Sequence, residues 1–321
     1  MLLRTVVAYE LLAAAVGKGN SAFENATKFV IEAMTKSISK KLEVSLFYGQ
    51  APKGIGEVKA GSVTTNSFVI SDAEFAPGIW VGAKGMKFDV YDDTGVTLKG
   101  SFTVASIDFD LRKVTTVESL VAAGVDDLDV IFPKGAKNKE AAGLHKILSN
   151  TGVLFDIDAA QYEMWKGNVV PAAGELTFEK LVKFMSRPIE RGLSGDVVCI
   201  VNPKTWASLM KDQAALRRFD SSYGTKKLEN GTMAIEFYSQ NGKIEVHSSI
   251  YCKESYAYVI QSEDFARIGS TDITFQLPGL PDQFLTQAPN NAGYEMRCYS
   301  NQALFTKSIS SSLMITGITH S

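Results

Sequence analysis

Three cysteines (Cys199, Cys252, Cys298) and three histidines (His145, His247, His320) are the chain's first candidates for nucleophile and base. A catalytic nucleophile needs a base beside it and a third group that orients the base. Cys199 lies in the apolar run DVVCIV at 196–201, so its thiol is expected to be buried and inert. His145 and His247 could serve as bases, but no spacing pairs either with a nucleophile, and the G-x-S-x-G elbow is absent. The cysteine spacings fit no C-x-x-C knuckle, and three histidines are too few for a His-rich metal site. Asp89, Asp92 and Asp93 resemble half of an acidic calcium loop. Tyr91 and Thr94 stand where such a loop wants a carboxylate and a glycine, so a hairpin turn is expected instead. The glycines at 54–56 and 78–84 lack the Gly-Lys-Ser/Thr ending of a phosphate loop and read as turns. Residues alone therefore point to no catalytic site, no cofactor and no metal.

One charged segment stands out. Between residues 203 and 227, Lys204, Lys211, Arg217, Arg218, Lys226 and Lys227 face only Asp212 and Asp220, so six cations less two anions leave +4. Such a stretch could meet a phosphate backbone or an acidic neighbouring subunit, or be a solvated helix face. Trp206, Phe219 and Tyr223 are too sparse for a base-stacking ladder and read as anchors.

The 321 residues suggest about two packing units. With 45% hydrophobic and 21% charged residues, a sizeable core is available and global disorder is excluded. The net charge of −2 argues against a globally basic nucleic-acid binder. No apolar run is long enough to span a bilayer. The opening MLLRTVVAYELLAAAVG resembles a secretory leader, but Glu10 interrupts its apolar part. An odd cysteine count makes a reducing, intracellular origin the default, so the sequons at Asn25 and Asn230 are discounted.

The elements that must position these residues follow from periodicity. Residues 8–16 read as a short helix stopped by Gly17-Lys18-Gly19. Ser21 to Glu24 is a capping box, and behind it Phe23, Ala26, Val30, Met34, Ile38, Leu42 and Leu46 form one apolar stripe. The spacing predicts a continuous helix over 22–48, ~40 Å long, with Gly49 as its C′ residue. Residues 57–133 alternate as short strands (FVIS, WVGA, KFDVY, VTLKG, FTVASIDFD, DVIFP), which suggests a small barrel or sandwich. Helices are expected over 139–149 and 176–192, the latter bent or shortened by Pro188. DVVCIV reads as a buried strand, and Asn202-Pro203 caps the next helix, whose apolar face is Trp206, Leu209 and Met210. MAIEFYS and KIEVHSS flank Gln240-Asn241-Gly242 as a hairpin with an Asn-Gly type I′ turn. YAYVIQ, YEMRCYS, ALFTKS and SLMITGI are further strands, with a helical turn at Ser262 to Phe265.

Several strings in this order resemble the major capsid proteins of tailed bacteriophages, with the Hong Kong 97-type fold. KKLEVSLFYGQAPKGIGEV looks like the end of that family's spine helix, where Leu-Phe-Tyr-Gly gives way to a Gly-rich turn. GLHKILSNTGVLFDIDAAQYEMWKGNVV is similar to the entry into its second helical layer. CIVNPKTWASLMKDQAALRRFD and IEFYSQNGKIEVHSSIYCKESYAYVIQSEDFA resemble its strand–Asn-Pro–helix unit and the hairpin that follows. The likeness covers roughly 20–56 and 140–270.

The resemblance implies an α+β Hong Kong 97-like fold with a long spine helix, peripheral and axial domains, and an inserted small β-domain. Its parts would be a short segment 1–20, a peripheral domain from 21–56 and 278–321, an inserted β-rich domain 57–135, and a helical layer with axial α/β domain over 136–277. It implies a non-enzymatic shell subunit that assembles with itself, as pentamers and hexamers, into an icosahedral head enclosing double-stranded DNA. Scaffolding, portal or decoration proteins would be its other partners, with no membrane; it would assemble in the host cytoplasm and reside in the virion. Phe23, Val30, Met34, Ile38, Leu42 and Trp206 would be structural anchors, and Arg217 and Arg218 assembly contacts. A ligand-binding module or enzyme using the β-rich unit, and a non-viral nanocompartment shell, are the alternatives. Only about twenty residues precede the long helix, and LLRTVV reads like the returning strand of an extended loop. The chain is accordingly expected to be a shortened form of a longer subunit.

Overall fold

The computed structural model describes residues 1–8, 21–211, 235–239, 242–276, 279, 285–288 and 293–320; for 8, 21–27 and 235–239 it describes the backbone alone. The protein is a mixed α/β, β-rich chain of two compact units. The first comprises Met1–Glu43 with Arg267–Ala303, the second Val44–Ala266 with Leu304–Ser321. Strand β1 (Leu2–Ala8) forms where the β-branched LLRTVV expects one. The short helix expected over 8–16 lies outside the described residues beyond Ala8, which ends the strand.

Helix α1 (Ser21–Tyr48) runs 28 residues without a break. Lys28, Glu32 and Lys36 are exposed, while Met34, Ile38 and Leu42 are buried at the four-residue spacing of the stripe. In the last turn the buried positions become Val44, Phe47 and Tyr48, and Leu46 is only half-buried, because 3.6 residues per turn makes a four-residue stripe drift around the helix. Gly49 is not the expected left-handed cap; Gln50 takes the positive φ of 57°. Gly49 is required for a different reason: a Cβ there would fall on the Ala141 carbonyl oxygen.

Strands β2 (Gly56–Glu57), β3 (Ser67–Val69), β4 (Lys87–Tyr91), β5 (Leu98–Asp108), β6 (Lys113–Thr116) and β7 (Val130–Pro133) form one sheet in the order β2-β7-β4-β5-β6-β3. An antiparallel bridge between Val58 and Ile70 joins its two ends, with Lys59 N–H donating to Val69 O and Ser71 N–H to Glu57 O, both at 2.8 Å. The sheet thus closes into a small barrel, which removes its exposed edges. Val58, Phe68, Ile70, Phe88, Val90, Val114 and Ile131 fill it completely buried. WVGA is not a strand: Pro77 starts a helical turn, α2 (Pro77–Trp80), that delivers Trp80 edge-on to Phe88 at 6.3 Å. VTLKG and FTVASIDFD merge into the single strand β5. The Asp92 turn is a hairpin turn, its carboxylate accepting from Val96 N–H at 2.7 Å, Thr97 N–H at 3.1 Å and the Thr94 hydroxyl at 2.9 Å.

Helix α3 (Leu144–Leu148) is shorter than expected, and the small hairpin β8 (Val153–Leu154) and β9 (Ile157–Asp158) follows it. Then come β10 (Val169–Gly174), α4 (Phe178–Glu190), β11 (Val197–Val201), α5 (Pro203–Lys211), β12 (Ile235–Ser239), β13 (Gly242–Ser248) and β14 (Ala257–Ile260). Thr177 caps α4 by accepting from Lys180 N–H, and Pro188 sits in its final turn. Asn202 Oδ1 accepts from Lys204 N–H at 3.0 Å and caps α5 as expected. β12 and β13 pair antiparallel, with Ser239 opposite Gly242. Gly242 is therefore in the strand rather than at the turn centre, and a Cβ on it would fall on the Gly195 carbonyl oxygen.

The chain closes with β15 (Phe265–Thr274), β16 (Leu285–Gln287), the 14-residue β17 (Gly293–Thr306) and β18 (Leu313–Ile318). YEMRCYS and ALFTKS are both part of β17. β18 leaves its neighbours and enters the six-stranded sheet β10-β18-β14-β11-β13-β12. One face of that sheet packs Val197, Cys199, Val259 and Ile315 against Phe178, Leu181 and Met185 of α4 and Leu209 of α5. The other presents Tyr258 and Met314 to a core shared with the barrel, α3 and the end of α1. In the first unit β1 and β16 pair with β17, and Met34 and Ile38 of α1 bury Met296 and Cys298 with Leu3, Val30 and Ile273 packed around them.

Met34 is 5% exposed in that cluster. Met34→Glu should lower the unfolding free energy by about 3–5 kcal/mol, because it buries an unpaired charge, whereas Lys36→Glu on the exposed face should change it by less than about 0.5 kcal/mol. Urea denaturation of the two variants checks this.

Candidate functional site

The residues singled out from sequence do not converge on one site. Val30, Met34 and Ile38 meet in the α1–β17 cluster, and Leu42 is buried one turn further along. Phe23 belongs to α1, but its side chain lies outside the described residues, as do Glu24 of the capping box and both Arg217 and Arg218. Trp206 packs against the core between the six-stranded sheet and its helices. Cys199 is fully buried there, and burial pushes its thiol up to about 12. A thiol held that far from ionisation is no nucleophile. His247 lies 3.5 Å from Glu245 on β13, a carboxylate and not a nucleophile. Among the described residues no group of three or more His, Cys, Asp or Glu side chains is arranged to hold a metal ion, and no helix is long and apolar enough to cross a membrane.

The polar centre of the second unit was not visible in the sequence. Lys253, in the turn between β13 and β14, is 1% exposed. Its Nζ donates to Glu74 Oε2 at 2.6 Å and to the Gly54 carbonyl at 3.0 Å, and lies 4.5 Å from the centre of the Tyr48 ring. The ammonium thus has two hydrogen-bond acceptors and an aromatic face around it. Glu74 Oε1 accepts from the Tyr256 hydroxyl at 2.7 Å. Desolvation works against the Glu74 carboxylate, but the Lys253 ammonium and the two hydrogen bonds outweigh it and lower its pKa. Lys253 N–H donates to the Tyr48 hydroxyl at 2.9 Å, which donates in turn to Tyr251 O at 2.7 Å. Beside it, His145 Nδ1 is 3.0 Å from the Tyr258 hydroxyl, and the His145 and Tyr256 rings meet edge to face at 5.0 Å.

The outer part of this network is also paired. Glu254 receives Arg112 at 2.7 Å and Lys204 at 2.8 Å, and Arg112 reaches Asp72 at 2.7 Å. Shifted titratable groups do cluster here, as in an active site. Yet the lysine and glutamate are sealed and mutually saturated, so no atom is left to attack or to accept a proton from a substrate. Chemically the arrangement is a bolt: it ties the barrel (Gly54, Glu74), the end of α1 (Tyr48), α3 (His145) and the six-stranded sheet (Tyr258) to one point. Sequence reasoning missed it because nothing local marks Lys253 in CKESYAY as buried.

No protein-family model and no curated protein matches the sequence. Solved structures that the chain resembles are capsid and shell chains. The cyanophage A-1(L) capsid chain is similar over 58% of this chain and 62% of its own length, at 14% identity and a TM-score of 0.41. The chain thus spans about three-fifths of that relative. A chain of the satellite phage P4 procapsid, which includes the size determination (Sid) protein, is similar over 99% of this chain and 70% of its own, at 10% identity and a TM-score of 0.38. The SrpI encapsulin of Synechococcus elongatus is similar over 50% of this chain and 58% of its own, at 10% identity and a TM-score of 0.31.

Burial, with the Lys253 charge adding to it, lowers the His145 pKa to about 4. An unfolded histidine titrates near ~6.5, so between those values the unfolded chain binds the extra proton and stability falls as pH drops. The loss should approach about 3 kcal/mol by pH 4. His145→Gln, which keeps a partner for Tyr258, should flatten the dependence between pH 7 and 4.5 in urea denaturation.

Proposed function

We propose that this chain is the major subunit of a tailed-phage head: a structural, non-catalytic protein that assembles with itself into a closed icosahedral shell around double-stranded DNA. The observation that carries the reading is the 28-residue α1 lying along the long strand β17. A helix of that length is more than twice the usual ~11–12 residues. It supports the spine-helix role that the string ending in LFYG implies. The order of elements is the second support: long helix, β-rich unit, short helical segment, then an α/β sheet with returning strands. Repeated heterologous contacts between wide subunits close into rings and shells, and such a protein needs no pocket or nucleophile.

In this reading the fold is of the Hong Kong 97 type. The peripheral part is α1 with the returning strands, the barrel at 57–135 is an insertion, and the α/β sheet within 136–277 is axial. Pentamers and hexamers of the chain form the shell in the host cytoplasm, with scaffolding, portal or decoration proteins as further partners and the virion as its final place. The basic stretch with Arg217 and Arg218 faces an acidic neighbour or packaged DNA.

Electron microscopy and analytical ultracentrifugation of the purified chain test the proposal. Rings, capsomers or shells are the expected result, with association weakening as salt is raised. A strictly monomeric chain at high concentration and low salt would sink it.

A further inference from the structure

We propose that the β8–β9 hairpin and the turn after it form a docking surface for the basic stretch 211–227 of a second copy of this chain, an inference that rests on the shell reading above. The hairpin turns through Phe155 and Asp156, both left-handed, with φ of 53° and 61°. A two-residue turn of that kind favours asparagine and glycine, and Asp tolerates it. An aromatic residue does not, so Phe155 is held there against its backbone preference, and such strain concentrates where a side chain must be presented. What holds it is a short aromatic row: Phe155 lies 6.4 Å from Trp165 and 5.7 Å from Phe305, and Trp165 Nε1 anchors the hairpin by donating to Leu154 O at 2.9 Å.

The strained residue is not hidden by the fold. Phe155 is 38% exposed, with Val153 at 65%, Tyr162 at 61% and Met164 at 55% beside it in sequence. Four large apolar side chains exposed within twelve residues are more than a solvated loop needs. The same segment is acidic: Asp156, Asp158 and Glu163 against Lys166 leave a net −2 over residues 151–167, which Arg191 on Glu163 brings to −1. Glu163 reaches Arg191 at 3.2 Å and Asp158 accepts from Ala160 N–H at 2.9 Å, so Asp156 at the tip is the carboxylate most available to a partner.

That surface calls for a partner that is basic and carries apolar or aromatic side chains. The chain contains one such stretch. Lys211, Arg217, Arg218, Lys226 and Lys227 alternate with Leu216, Phe219 and Tyr223, against Asp212 and Asp220. It lies between the end of α5 at Lys211 and the start of β12 at Ile235. Twenty-three residues separate the two elements. The acidic segment favours a protein partner over packaged DNA, whose phosphates it would repel.

The test is a charge exchange, read by sedimentation velocity and electron microscopy with thermal melting as the control. Asp156→Lys, Tyr162→Ser and, separately, Arg217→Asp with Arg218→Asp should each weaken self-association about tenfold or more at unchanged Tm. Asp156→Lys combined with the two arginine reversals should recover a substantial part of it. Phe155→Gly, which relieves the strained turn, should leave Tm level or higher and still impair association. Wild-type assembly that is indifferent to Asp156→Lys and Tyr162→Ser overturns this surface while leaving the shell reading standing. Loss in the arginine variant with no recovery on exchange assigns the stretch to DNA or another surface. A lowered Tm without a change in association assigns the contact to the chain's own loop, and a monomeric wild type removes both readings together.

Discussion

An ammonium buried to 1% exposure loses hydration worth several kcal/mol, and only close, well-aligned partners offset that loss. Lys253 has them because four separate pieces of chain arrive at it: the turn at Gly54, the carboxylate of Glu74, the ring of Tyr48 and its own strand-linking turn. None can move away without leaving a charge or a donor unpaired in a low-dielectric interior. The pair adds little net stability over an apolar replacement, but it penalises every arrangement in which the pieces are not brought together. Within the second unit this contact fixes how barrel, α1 terminus and six-stranded sheet meet around the apolar core they share.

The glycines of the same unit serve that placement. Gly49 and Gly143 let the chain before α3 press against the last turn of α1, where Gly143 N–H donates to Gly49 O at 2.8 Å. Gly54 takes a φ of 45° and abuts the Ile131 carbonyl, which turns its own carbonyl toward Lys253. Close backbone approach and the buried ion pair are thus two aspects of one constraint: the pieces must pack at backbone contact for the ammonium to find all its partners. Around it the barrel closes its edges through the Val58–Ile70 bridge, so its sheet leaves no free strand edge there.

In the proposed shell role this division of labour is mechanically sensible. A rigid, saturated interior keeps the unit's shape, while strain and exposed apolar area sit at the periphery, at Phe155 and its neighbours. Shell contacts must be numerous and individually modest, so that wrong associations can reverse before closure. The contact proposed between the acidic hairpin tip and the basic stretch would be of that kind, sensitive to salt and lacking a deeply buried charge.

Local chemistry was legible in the sequence wherever one segment suffices to determine it. Periodicity marked α1 almost to the residue, because a four-residue apolar stripe with no Gly or Pro leaves no other regular structure. The Asn202 cap, the Asp92 turn and the alternation that becomes a barrel are equally local, and a side chain bonding its own backbone needs no distant partner. The errors arose where distant chain decided. WVGA became a helical turn because Pro77 presets φ and the barrel interior takes up Trp80. Gly49 and Gly242 were read as turn formers, whereas carbonyls from Ala141 and Gly195 forbid a Cβ there. Lys253 and Glu74 stand 179 residues apart, and nothing near either shows that both are buried. The sequence alone determined the long helix, most of the strand segments and the caps and turns that a side chain makes with its own backbone, and it offers no spacing that pairs a nucleophile with a base. Only the tertiary structure decided which charges are buried and which apolar side chains stay exposed, because burial belongs to the space between segments and not to any one of them.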